Sequence, residues 1–277
     1  MDGALFNRFR QIARDTAGIH LGDGKESLVA ARVAKRQRQL GIPDERDYLH
    51  YLEGDQSGNE LVHFLDAIST NFTSFFREPE HFELLDQIVR EATAAPQHRL
   101  RIWCAASSSG EEPYSIAITV LEAAAGRPLD VRILATDIST RVLDHAQRGI
   151  YEAERLKPLS RKQLERFFCR VPDEDGVKAQ GPRYEVAAAL RAPLVFRRLN
   201  LATPPLPMRG PLDVVFCRNV MMYFDRAVRQ RLVEEIERLL RPGGYLLTGH
   251  AETLNGLSTS LVAERPSVYR QRELLES

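Results

Sequence analysis

The chain is 277 residues long, which at ~150 residues per domain allows about two domains, or one larger domain with a smaller attachment. Hydrophobic residues make up 43% and charged residues 27%, values typical of globular chains, which excludes a disordered or fibrous protein. Thirty-eight basic residues balance 38 acidic ones, so net charge predicts no nucleic-acid partner, and any contact with a charged surface must come from a local patch.

The opening residues, MDGALFNRFR, lack the apolar core of a signal peptide, and no run approaches the ~18 apolar residues that span a bilayer. A cytoplasmic protein without membrane insertion is expected. Cys104, Cys169 and Cys217 are odd in number and widely spread, so they are read as reduced thiols. The histidines show no ligand spacing, and no metal is expected.

From Leu5 to about Leu65 apolar residues recur three and four apart between Gly- and Pro-marked loops, which predicts a small helical unit. A helix over Glu26 to Leu40 places Leu28, Val29, Val33 and Leu40 on an apolar stripe, with Arg32, Lys35, Arg36 and Arg38 on the remaining surface, and Gly41 and Pro43 end it. Such a basic face suits either solvent or an acidic protein partner. In the next segment, ISTNFTSFFREPEHF, four phenylalanines alternate with Asn71, Thr73, Arg77 and His81. Rings at this density build either a core or the apolar wall of a small-molecule site, and periodicity does not choose between them.

After His98 the pattern changes to short apolar runs separated by helix-length segments: Leu100 to Ala105, Val131 to Thr136, Leu194 to Phe196, Asp213 to Cys217 and Tyr245 to Thr248. This alternation predicts an α/β unit with a mainly parallel sheet and helices near Glu112 to Ala125 and Arg226 to Leu240. Ligands of such sheets bind beyond the carboxyl ends of the strands. The first run ends in the small residues AASSSG before Glu111, Glu112 and Pro113. That turn lets a ligand approach the backbone, yet it is neither a dinucleotide fingerprint nor a phosphate loop, and two glutamates at the helix start would repel a pyrophosphate. Asp137 ends the second run, where it could accept both ribose hydroxyls or cap the next helix. Asn200 follows the third run, and Arg218, Asn219 and Tyr223 follow the fourth, so four strand ends address one rim.

Taken together, NFTSFFREPEHF (71–82), WCAASSSGEEPYSIAI (103–118), ATDIS (135–139), LNL (199–201), FCRNVMMYFD (216–225) and RPGGYLLTGHAETL (241–254) resemble, in order, the motifs of the CheR-type chemotaxis receptor methyltransferases. The resemblance implies a Rossmann-like class I methyltransferase sheet, an all-helical N-terminal domain over residues 1–70, a linker and first part of the cofactor site over 71–98, and a catalytic domain over 99–277. A small antiparallel β insertion is implied at about 149–198, with a polar hairpin turn at Asp173 to Gly176. Some members dock a receptor C-terminal pentapeptide on this insertion; the residues equally allow a purely structural insert.

The implied activity is transfer of a methyl group from S-adenosylmethionine to glutamate carboxylates on the cytoplasmic helical region of membrane chemoreceptors, leaving S-adenosylhomocysteine as product. Carried over by position, Asn71, Thr73, Arg77, Glu111, Asp137, Asn200, Leu201, Arg218 and Asn219 are the implied cofactor contacts. Asp137 takes the ribose role, Asn200 and Leu201 the adenosine role, and Arg77 and Tyr223 stand at the reaction centre. Whether Glu112 assists Glu111 or only begins the helix is open at this point. Arg32, Arg36 and Arg38 are the candidates for receptor contact, since a basic helix complements an acidic one. Two other readings share the motifs: a methyltransferase with another acceptor, and a protein that binds S-adenosylmethionine or its product as a sensor without turnover.

Overall fold

The computed structural model describes residues 1–69, 72–95, 98–172 and 181–273. Four helices open the chain: α1 (Gly3–Ala17), α2 (Glu26–Leu40), α3 (Glu45–Gly54) and α4 (Asn59–Ile68). Each starts or stops on a local signal. Asp2 accepts the Leu5 N–H at 2.8 Å, Asp44 accepts those of Arg46 and Asp47, and Gly18 and Gly41 end α1 and α2 in the left-handed conformation. Phe9 is fully buried, with its ring 6.0 Å from Tyr48 and 5.4 Å from Phe64, and Val29, Val33, Leu52 and Leu65 close the bundle core around this group. Leu28 does not join them. It is 39% exposed, and so lies off the stripe assigned to it from helical spacing.

Helix α5 (Glu80–Ala94) leads into the alternating part of the chain: β1 (Arg99–Ala105), α6 (Glu111–Ala124), β2 (Asp130–Asp137), α7 (Thr140–Arg148), β3 (Ile150–Glu152), α8 (Arg161–Phe167), β4 (Phe168–Arg170), β5 (Arg183–Val186), α9 (Ala188–Arg191), β6 (Leu194–Arg198), β7 (Leu212–Cys217), α10 (Arg226–Leu239), β8 (Leu240–Thr248), β9 (Val262–Arg265) and β10 (Val268–Arg270). The main sheet has the order β6-β2-β1-β7-β8-β10-β9, parallel from β6 to β8, with β10 and β9 antiparallel at one edge. All five predicted runs fall in its parallel strands. The central strands are apolar on both faces, as a doubly covered sheet requires: Ile102, Cys104, Val214 and Phe216 pack on one side, and Trp103, Ala105, Val215 and Cys217 on the other. Pro242, Gly243 and Gly244 lie inside β8, whose register with β7 slips there.

The insert carries a second sheet, β3-β5-β4, antiparallel throughout, at residues 150–186. Leu194–Arg198 belongs to the main sheet, so the later part of the expected insertion range is framework. The turn expected at Asp173 to Gly176 lies outside the described residues.

Strand order reverses between β1 and β7, which opens a crevice at their carboxyl ends. The helical bundle sits over this crevice and is tied to it. The Asn200 side-chain amide donates to the Thr16 carbonyl at 2.6 Å, the His20 N–H donates to the Tyr223 carbonyl at 2.6 Å, and Arg14 pairs with Asp225 at 3.2 Å. Gly18 permits the approach: a Cβ there would lie 2.7 Å from the Ala202 methyl group.

Candidate active site at the carboxyl end of the sheet

The cleft is built from the turns that follow the strands. After β1, Ala106, Ser108 and Gly110 all have positive φ, giving a tight turn whose small side chains leave the backbone accessible. Gly110 is required by space as well as by φ, because a Cβ there would meet the Tyr151 hydroxyl at 2.5 Å and the Ala146 Cβ at 2.9 Å. Asp137, at the end of β2, is almost fully buried and braces this turn by accepting the Ser108 N–H at 2.8 Å and the Ser139 N–H at 2.9 Å. Burial raises its carboxyl above the ordinary aspartate value, against the lowering effect of those two bonds. Leu201 supplies an apolar wall beyond β6, while the Asn200 amide is held by the Thr16 carbonyl and the Ala202 N–H.

On the other side of the reversal, Asn219 has φ 57°, and three backbone N–H groups converge on the buried Glu252: those of Asn219 at 2.6 Å, Gly249 at 2.7 Å and Met222 at 3.2 Å. Glu252 thereby fixes the loop that presents Asn219 and Tyr223. No Cβ could replace the hydrogen at Gly249, where it would lie 2.3 Å from the Asn219 amide nitrogen.

The segment before α5 completes the wall. Arg77 donates to the Phe72 carbonyl at 3.1 Å, and its guanidinium lies 5.5 Å from the centre of the Phe72 ring, itself 75% exposed at the mouth. Beneath it runs a buried ionic network. The Arg218 side chain has no exposed surface; it pairs with Glu112 at 2.7 Å and Glu78 at 2.9 Å, and donates to the Arg77 carbonyl. Three elements far apart in sequence are thus joined through one guanidinium, whose planar fork suits bidentate pairing.

Of the residues carried forward from the sequence, Thr73, Arg77, Asp137, Asn200, Leu201, Arg218, Asn219 and Tyr223 line one cleft. Asn71 lies outside the described residues. Glu111 is directed elsewhere: its carboxylate accepts from the Ser109 hydroxyl at 2.7 Å and pairs with Arg155. Its neighbour Glu112 faces the cleft, because consecutive side chains on a helix diverge by ~100°. Sequence reading also missed Glu78 and Glu252, whose sequence motifs were quoted without a role for either acid, and the contribution of Ile19, His20, Lys25 and Leu28 from the bundle.

Among the basic residues of α2, Arg32 and Arg38 are exposed, but Arg36 is not a free surface charge. It forms a bidentate pair with the buried Glu60 at 2.7 and 2.8 Å, and Glu60 also accepts from the Tyr48 hydroxyl at 2.8 Å. Arg36 holds the bundle together and is withdrawn from the receptor-contact set. Replacement by alanine leaves a buried carboxylate short of donors, so Arg36→Ala should cost about 1–3 kcal/mol in urea unfolding, whereas Arg38→Ala should cost less than about 0.5 kcal/mol. Equal effects would refute the distinction.

Comparison with known proteins places these features in a lineage. Residues 71–267 match the CheR methyltransferase SAM binding domain, and residues 4–69 match the CheR methyltransferase all-alpha domain. The chain is 38% identical over 271 residues to the chemotaxis protein methyltransferase of Escherichia coli K12, covering 97% of this chain and 91% of that protein. It is 41% identical over 248 residues to chemotaxis protein methyltransferase 2 of Pseudomonas aeruginosa, covering 89% and 85%. The chemotaxis protein methyltransferase of Borreliella burgdorferi is 32% identical over 272 residues. No helix among the described residues is long and apolar enough to cross a membrane.

Proposed function

The chain belongs to the CheR methyltransferase family, a group of S-adenosylmethionine-dependent methyltransferases, and from that premise we propose that it esterifies glutamate side chains on the cytoplasmic helical region of chemoreceptors. The observation that carries this reading is the convergence of Asp137, Arg77, Asn219 and Tyr223 on one cleft. S-adenosylmethionine supplies an electrophilic methyl group on a positively charged sulfur. Asp137 and Leu201 take the ribose and adenine ends, with Asn200 set by the bundle, and Thr73, Glu112 and Asn219 take the amino-acid end. Glu112 replaces Glu111 in this role because its carboxylate faces the cleft.

An acceptor glutamate has an ordinary pKa of ~4.3 and is already a carboxylate at neutral pH, so the enzyme needs no general base. This agrees with a cleft lined by no cysteine among the described residues. What the protein contributes is alignment, worth up to ~7–11 kcal/mol in favourable cases. Tyr223 offers a hydroxyl, and Arg77 a guanidinium, to orient the entering carboxylate at the mouth. Phe72 and Leu28 give that mouth an apolar rim which excludes water as two opposite charges neutralise. Arg32 and Arg38, exposed on α2, supply positive charge for an acidic receptor helix.

Tyr223→Phe is expected to lower kcat about tenfold while leaving S-adenosylhomocysteine affinity within about twofold, as loss of one hydrogen bond of ~1.4 kcal/mol made to the reacting carboxylate would. An unchanged kcat removes the tyrosine from the mechanism. Peptide mapping of a receptor fragment after incubation with the enzyme should locate the added methyl on glutamate; label on lysine, arginine or a small molecule would favour another acceptor. A receptor trimmed of its C-terminal pentapeptide should be modified more slowly if the insert holds that peptide, and at the same rate if the insert is structural. The sensor reading is disfavoured by a polar acceptor side of the cleft, which a protein that only binds the cofactor does not need.

A further inference from the structure

His81 is fully buried on the first turn of α5, and neither of its ring nitrogens has a hydrogen-bond partner. Such a group is costly unless something else satisfies it. Its Nδ1 lies 3.6 Å from the Glu78 carboxylate, and its ring meets that of His250 edge-on, with centroids 5.8 Å apart. His250, in the loop after β8, is half exposed, and its Nε2 contacts the Glu80 carboxylate. Ligand atoms of Glu78, His81 and His250 all fall within 4.8 Å of one another. Tetrahedral zinc with bonds of ~2.0–2.1 Å holds its donors roughly 3.3 Å apart, so a small rotation of the exposed His250 would close the set.

We propose that Glu78, His81 and His250, with water in the fourth position, form a binding site for a borderline-soft divalent cation of the Zn2+ class, and that its occupation inhibits the neighbouring cleft. Two imidazoles and one carboxylate suit zinc, and disfavour magnesium and calcium, which prefer all-oxygen shells. The site is reached from solvent through His250. Glu78 has an oxygen to offer besides its main ion pair: Oε2, 3.6 Å from His81 Nδ1, holds Arg218 at 2.9 Å, while Oε1 has only long contacts, 3.4 Å to the Asn219 amide and the His250 N–H and 4.0 Å to the Arg77 guanidinium. A cation on Oε1 pulls it away from Asn219, which lines the cleft; this inhibitory coupling rests on the methyltransferase reading, whereas the binding does not. The sequence conceals the site because His250 stands 169 residues from His81.

The test uses the full chain stripped of metal. Zn2+ is titrated against a chromophoric chelator, and Co2+ is used as a spectroscopic probe. The wild type should take up one Zn2+ per chain and give the intense ligand-field bands of four-coordinate cobalt. His250→Ala, an exposed change outside the cleft, and His81→Gln should each weaken binding at least about tenfold, while Cys169→Ser, which removes the exposed thiol, should not. Stoichiometric Zn2+ should inhibit methyl transfer by the wild type reversibly with EDTA and spare His250→Ala. Absence of binding, binding that survives both histidine changes, or binding lost in Cys169→Ser overturns the site; binding without inhibition overturns the coupling.

Discussion

Arg218→Met should destabilise the protein by ~3–5 kcal/mol, the cost of removing one partner from a buried ionic cluster and leaving the others uncompensated. Glu78 and Glu112 both rely on Arg218, and both are largely buried. Burial pushes the Glu112 carboxyl up despite the guanidinium beside it, and without that charge Glu112 would take up a proton at still higher pH. For a chain of this size the loss corresponds to a fall in Tm of about 6–20 °C by calorimetry. Adding Glu78→Gln and Glu112→Gln should recover part of the loss, because the orphaned charges go with their partner. A single-variant loss below about 1 kcal/mol would mean that the cluster is not what joins α6, the loop after β7 and the segment before α5.

Asp137→Asn should weaken S-adenosylhomocysteine binding at least about 100-fold by calorimetric titration. Hydrogen bonds to a charged acceptor contribute ~1.5–3 kcal/mol each, the ribose offers two hydroxyls, and 1.4 kcal/mol is a factor of ten. The pH profile gives a second readout. Burial holds the Asp137 carboxyl above 3.8, so on acidification it loses its charge earlier than an exposed aspartate does. Wild-type affinity should therefore decline as pH falls through that raised value and be full above it, while Asp137→Asn should show no such step. The same raised pKa has the opposite sign for stability, since burying the charged form is a cost that appears as pH rises from 3.8 through the folded value. Affinity within threefold of wild type in Asp137→Asn would remove the ribose role.

Most of the framework was legible in the chain because its signals are local. Apolar runs bounded by turns mark the parallel strands, and the residues that end or follow each run stand at the rim by topology, which is why the sequence could place Asp137, Asn200 and Asn219 there. The choice between Glu111 and Glu112 was not legible: it depends on the phase at which α6 leaves a turn with three positive φ values, and one position on a helix reverses the side chain's destination. Arg36 was misread because its partner Glu60 lies 24 residues away on another helix, so a basic face in a helical pattern did not reveal an internal pair. Leu28 failed for the related reason that an apolar position can face a ligand cleft as readily as a core. Glu252 is a carboxylate whose task is to gather backbone donors, and such a role leaves no mark in composition or spacing.

The account stands most directly on transfer of methyl label from S-adenosylmethionine to chemoreceptor-containing membranes, followed by mild base. Glutamate methyl esters hydrolyse readily whereas N-methyl groups do not, so the expected result is receptor-bound label that is released by base and absent with Asp137→Asn. Cofactor binding with no label on any receptor, or receptor label that resists base, would contradict it.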